Sequence, residues 1–237
     1  MTILGSILAQ AVKDDIIPKN YMKNIDRPKQ VKVRQMITLS ANEVKNFLSN
    51  ISNTEHHALF KLAFATGMRR SELLGLRWSD IDFKKSTISI SQTALKIGST
   101  AVISNTTKTT SSKRIIAIDT DTLQELIKHK TTIDKRRIKT MNWINNNLVF
   151  PGIKGAPRCP DEVSKLCKKY ANLIGKPTFT MHGTRHTHAT LLIESGANMK
   201  AIQERLGHAS FQETMDTYSH VTPKMEDDIV ERIAKIF

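Results

Sequence analysis

The sequence predicts an α+β fold, mostly helical, with a small antiparallel β-sheet at one edge. Three observations predict it. Apolar residues recur at helical spacing through most of the chain. One region, from about residue 87 to 118, switches to the period of two expected of strands. Glycines stand where helical periodicity stops, at Gly67, Gly196 and Gly207. With 237 residues there is material for one large domain, or one domain plus a fragment.

Taken in order, residues 3–17 carry an apolar stripe (Ile3, Ile7, Leu8, Ala11, Val12) that ends before Pro18. A lone helix with a greasy face needs something to pack against, so residues 1–17 read as the last helix of a truncated domain. Residues 18–37 are polar, basic and contain two prolines, which suits a linker. The main domain is expected over residues 38–237. Ser40 and Glu43 have capping-box spacing before the stripe Val44, Phe47, Leu48, Ile51. A second helix spans residues 56–66, and a third begins with Ser71 as its cap. Strands are expected at 87–91, 101–103 and 114–118, the last two separated by the polar turn SNTTKTTSSK. Helices resume at 121–135, 161–174, 182–194, 199–206 and around 212–218. A terminal helix, 223–236, starts at Pro223 and carries Ile229, Val230, Ile233 and Ile236 on one stripe.

Thirty-six Lys and Arg against 22 Asp and Glu give a formal charge of +14, and the pI is about 9.8. Such a field attracts polyanions, nucleic acid above all; the alternatives are a basic solvated surface, or ribosomal or membrane-surface association. Cys159 and Cys167 make neither a C-x-x-C pair nor a four-thiolate zinc site, and read as reduced cytosolic thiols. No run approaches ~20 apolar residues, so no membrane span is expected. The first residues lack the basic start of a secretory signal, so the expected location is cytoplasmic.

Four clusters carry candidate chemistry. In ATGMRRSELLGLRWSDID, Arg69 offers a guanidinium fork with Glu72 three residues on; this is either a phosphate clamp or a structural ion pair. In TKTTSSKR, Lys108, with Lys113 as its rival, is either a solvated tip or a proton donor to a leaving oxygen. In HGTRHTH, a zinc reading uses His182 and His186 at i, i+4, but position 183 is glycine where H-E-x-x-H needs glutamate. His182 and Arg185, at i, i+3 near a helix start, instead make an anion site. In RLGHASFQETMDTYSHV, His208 follows a helix-ending glycine. Tyr218 there is either a buried hydrogen-bonding residue or a nucleophile that needs cationic neighbours. Together these groups answer one demand: neutralising a phosphodiester under attack and protonating its leaving oxygen. No D-x-D-type cluster is placed to hold magnesium, so a metal-free tyrosine mechanism fits better than a two-metal nuclease.

The order and wording of the four clusters resemble the tyrosine recombinases, specifically phage and transposon integrases, over residues 38–221. The resemblance implies the fold of the DNA breaking–rejoining enzymes, and the site-specific integration or excision of a phage or other mobile element. It implies that Tyr218 attacks the scissile phosphate and holds a 3′-phosphotyrosyl link. Arg69 and Arg185 clamp the non-bridging oxygens, Lys108 is the general acid, His182 assists proton transfer at the tyrosine, and His208 donates to the phosphate. Glu72 and His220 support, His186 and His188 pack, and neither cofactor nor metal is needed. The implied partners are double-stranded DNA carrying an attachment site and further copies of the chain. A tetramer is expected on DNA and a monomer for an isolated fragment, with an excisionase or a host DNA-bending factor as possible accessories. Gly183 and Thr184 depart from the bulkier residue of many members, and little of the usual N-terminal DNA-binding part is present. The alternatives are a catalytically silent DNA-binding regulator and a type IB topoisomerase-like relaxing enzyme.

Overall fold

Capping residues and apolar stripes set the helices where the sequence has them, and tertiary contacts move several of their ends. The computed structural model describes residues 3–25, 37–98, 100–104 and 114–207. Contacts divide the chain into two units, Met1–Gln35 and Met36–Phe237. In the first, helix α1 (Ile3–Lys13) is followed by a 3₁₀ turn, Tyr21–Asn24. Asn20 makes that turn: its Oδ1 accepts from Met22 N at 3.0 Å and its Nδ2 donates to Gly5 O at 3.1 Å. The start of the expected linker therefore folds back on α1, because a buried asparagine seeks both kinds of partner.

The second unit begins with α2 (Ala41–Ser49), closed at its start by the reciprocal Ser40–Glu43 bonds of a capping box. Helix α3 (Thr54–Thr66) is buried on most of its circumference and ends at Gly67, whose φ is +63°. Helix α4 (Arg70–Gly75) starts one residue before the expected Ser71 cap. Its N-cap is Arg69, whose backbone N–H is taken by the Glu72 carboxylate at 2.8 Å. Helices α5 (Thr120–Lys139), α6 (Pro160–Leu173), α7 (Met181–Glu194) and α8 (Met199–Leu206) complete the described helical part. The helices expected around 212–218 and from 223 lie outside the described residues.

The strands form two small sheets rather than one. Strands β1 (Ile81–Asp82), β2 (Thr87–Ile90) and β5 (Arg114–Ala117) pair antiparallel in the order β1-β2-β5, with Ile88 opposite Ile116. Strands β3 (Thr93–Ile97) and β4 (Thr100–Ser104) pair only with each other among the described strands. The expected strands at 101–103 and 114–118 thus belong to different sheets. The cause lies at Gly75: a Cβ there would meet the Thr93 backbone at 2.8 Å, and Gln92 Nε2 donates to Gly75 O at 2.6 Å. These contacts seat β3 against α4 and draw it away from β2.

The main core gathers Phe47, Phe60, Phe64, Tyr170 and Phe179 with aliphatic side chains from α3, α4 and the three-stranded sheet. Phe47 sits at its centre, edge-on to four rings with centroids 5.2 to 6.1 Å away. A smaller cluster, Ala189, Ile193, Ile202 and Leu206, joins α7 to α8. No described helix is long and apolar enough to cross a membrane.

Candidate active site

Three arginines converge where the C-terminal ends of α3 and α8 meet the starts of α4 and β5. Arg185, 2% exposed, projects from α7 and donates from Nη1 to Gly67 O at 3.0 Å and from Nη2 to Leu206 O at 2.8 Å. Arg69 donates from Nη1 to Glu72 Oε1 at 2.9 Å and from Nη2 to Gly207 O at 3.0 Å. Arg114, at the start of β5, grips both oxygens of Glu72 at 3.0 and 2.8 Å and sends its Nε to Arg205 O at 2.6 Å. The last carbonyls of a helix lack intrahelical partners and carry the negative end of its dipole. At the end of α8 three consecutive ones, at residues 205, 206 and 207, each take a different arginine.

Glu72 is buried at 3% exposure and accepts four hydrogen bonds, from Arg69 N and Nη1 and from both Nη atoms of Arg114. Burial alone would raise its pKa. The Arg114 hydrogen bonds and charge, with Arg69, outweigh that and hold it below the ordinary carboxylate range. A carboxylate so saturated orients the two arginines and takes no proton at neutral pH.

Arg69 and Arg185 line a cleft of about 370 Å³ together with Arg70, Ser71, Thr180 and His182, and none of its described lining residues is acidic. Thr180 caps α7, accepting from Gly183 N at 3.3 Å. A Cβ on Gly183 would meet the Phe179 ring at 2.7 Å, so glycine lets the first turn of α7 close onto the core. His182, one residue inside that turn, is exposed. Desolvation on its inner side, then the charges of Arg185 and Arg69, lower its pKa.

His186 lies edge-on to His182 with centroids 4.5 Å apart, and it is buried at 5% exposure. Among the described residues, no three His, Cys, Asp or Glu side chains gather in a metal-binding arrangement. His188 faces the other way. Its Nδ1 lies 2.7 Å from Phe64 O, and its Nε2 accepts from Arg205 Nε at 3.0 Å. A carbonyl on one nitrogen and a guanidinium N–H on the other define the neutral tautomer with its proton on Nδ1. Burial and Arg205 lower its pKa to about 4.

Of the residues picked from the sequence, the structure brings Arg69, His182 and Arg185 together around one cleft, with Glu72 paired to Arg69 outside its lining. Lys108, Lys113, His208, Tyr218 and His220 lie outside the described residues. Sequence reasoning missed Arg114, Arg205 and the carbonyl acceptors at residues 205–207. Arg114 had one available signal, a charged residue opening an apolar strand (RIIA). The carbonyls had none, since any residue supplies them.

Residues 38–225 match the phage integrase family. The chain is 31% identical over 212 residues to a XerC-like tyrosine recombinase of Caldanaerobacter subterraneus subsp. tengcongensis, covering 84% of this chain and 54% of that protein. It is 32% identical to the integrase of Staphylococcus phage L54a, covering 82% of this chain and 57% of that one. A solved structure of the Tn1549 transposon integrase in complex with transposon right end DNA superposes with a TM-score of 0.73. That match has 26% identity and covers 97% of this chain and 76% of the other. The chain therefore spans little more than half the length of the curated relatives it matches. A family match covering most of the sequence, with relatives above 30% identity over more than four-fifths of it, leads to one conclusion: the chain belongs to the phage integrase family of tyrosine recombinases.

Proposed function

We propose that this chain carries the catalytic part of a site-specific DNA recombinase that integrates or excises a mobile element. The observation that carries the reading is the pair Arg69 and Arg185, each anchored by helix-terminal carbonyls and opening on one cleft with His182. Carbonyl dipoles orient the Arg185 guanidinium without cancelling its charge, and the single Glu72 carboxylate is shared between Arg69 and Arg114, so the cluster stays net cationic and suits the non-bridging oxygens of a phosphodiester.

In the proposed reaction the Tyr218 oxygen attacks the scissile phosphorus. The bond to the 5′ oxygen breaks, and a 3′-phosphotyrosyl bond forms in its place. Lys108 gives a proton to the departing 5′ oxygen. His182, neutral at pH 7 because its pKa is lowered, receives the tyrosine proton, and His208 donates to the phosphate. The phosphotyrosyl link keeps the energy of the bond it replaced, so attack by a 5′-hydroxyl of another strand rejoins DNA without ATP or metal. Double-stranded DNA is the proposed partner, and four copies of the complete protein would assemble on paired sites. The test is a duplex with a nick beside the cleavage position, so that the 5′ fragment diffuses away. A covalent protein–DNA adduct forming in EDTA is expected; a strict magnesium requirement would overturn the mechanism.

A further inference from the structure

The end of α8 is an acceptor comb, and something must hold the comb still. Helix α8 has eight residues, of which only Ile202 and Leu206 are buried. So short a helix is marginal by itself, and its placement depends on tertiary contacts. The carbonyls of residues 205, 206 and 207 nevertheless set the direction of Arg114, Arg185 and Arg69.

We propose that His188 and Arg205 are positioning residues which lock this comb to the end of α3 and so aim the cleft arginines. Arg205 Nε donates to His188 Nε2 at 3.0 Å, and Arg205 Nη2 donates to Ala65 O at 2.9 Å. His188 is fixed in turn to Phe64 O at 2.7 Å. The chain of contacts thus runs from the α3 carbonyls through an imidazole and a guanidinium into the backbone of α8. Gly67 makes room for it: a Cβ there would meet His188 Cδ2 at 2.7 Å and Leu206 Cδ2 at 2.8 Å. Neither side chain lines the cleft, so both act through the arginines and touch no phosphate themselves.

The link matters because a guanidinium accepts little misplacement. A shift of about 1 Å in a positioning group costs roughly 100-fold in rate. Removing one partner also leaves the other buried and unpaired, which destabilises the fold, whereas replacing both by apolar groups of similar size is often tolerated. That asymmetry separates positioning from mere packing.

The kinetic readout rests on the recombinase reading; the geometric one does not. In protein with ¹⁵N-labelled histidine, assigned by difference against His188→Phe, His188 is expected as the neutral tautomer protonated on Nδ1, with an Nε2 resonance that moves in Arg205→Met. The double variant His188→Phe/Arg205→Met is expected to melt close to the wild type yet form the DNA adduct about 10- to 100-fold more slowly. Arg205→Lys, which cannot reach both His188 and Ala65 O, is expected to keep its fold and lose rate as well. A proton on Nε2, an Nε2 resonance indifferent to Arg205→Met, or wild-type rates in the double variant or the lysine variant would overturn the proposal. Absence of adduct in the wild type would count against the recombinase reading alone, and the NMR result would still decide the link.

Discussion

Arg185 is held by two backbone carbonyls, and lysine cannot copy that arrangement, because one ammonium does not span two helix ends with a rigid fork. Arg185→Lys should therefore lower the rate of adduct formation by about 10² to 10³, on the scale of losing one fixed donor to a developing charge; a rate within a few-fold of wild type would count against the clamp. His188 offers a thermodynamic check. Its pKa is lowered to about 4, while an unfolded histidine titrates near ~6.5. Between those values the unfolded chain binds the extra proton, so stability is fully present above the upper value and falls as pH drops toward the lower. The expected loss is ~2 kcal/mol between about pH 7.5 and 5, read from urea midpoints. In the His188→Phe/Arg205→Met double variant this part of the loss should vanish. Cys167 is fully buried, and burial pushes its thiol up to about 12, whereas Cys159 is partly exposed. A thiol reagent should thus label one of the two cysteines in the native protein and both in denaturant.

At the scale of elements, the two helix ends act as acceptors because αL glycines close them, Gly67 at φ +63° and Gly207 at φ +66°. Gly67→Ala should destabilise the fold by more than ~1 kcal/mol, since it adds a strained φ to a clash with His188; a Tm equal to wild type would refute the account of that turn. Both glycines were legible in the sequence as helix stops. Arg69, Glu72, His182 and Arg185 were legible as candidates: their spacing offered an Arg–Glu pair and an anion site, and the resemblance of the surrounding motifs singled them out. Helix α7 shows what was not legible. Ten of its residues are buried, including Thr184, Arg185, His186, Thr187 and His188. A helix that buries polar groups on several faces leaves no apolar stripe to read. Its partners lie far away in sequence: Thr187 Oγ1 accepts from Leu39 N at 3.1 Å across 148 residues. The split of the strands into two sheets was hidden for a similar reason, since it depends on β3 meeting the α4 backbone at Gly75.

For the molecule as a whole, the +14 charge and the cationic cleft would make the proposed DNA affinity an electrostatic quantity. If about four phosphates are neutralised, binding should weaken on the order of 100-fold between roughly 50 and 200 mM salt. A flat salt dependence in a filter or anisotropy assay would argue against a phosphate-directed surface. The proposed reaction is narrower: in it the cleft serves a tyrosine that attacks phosphorus without a metal. The most direct measurement is to trap the covalent adduct on a nicked duplex in EDTA, digest it with protease and locate the nucleotide-bearing peptide by mass spectrometry. The account predicts a 3′-phosphate joined to Tyr218 and no adduct from Tyr218→Phe. A nucleotide found on any other residue, or an adduct formed by the phenylalanine variant, would contradict it.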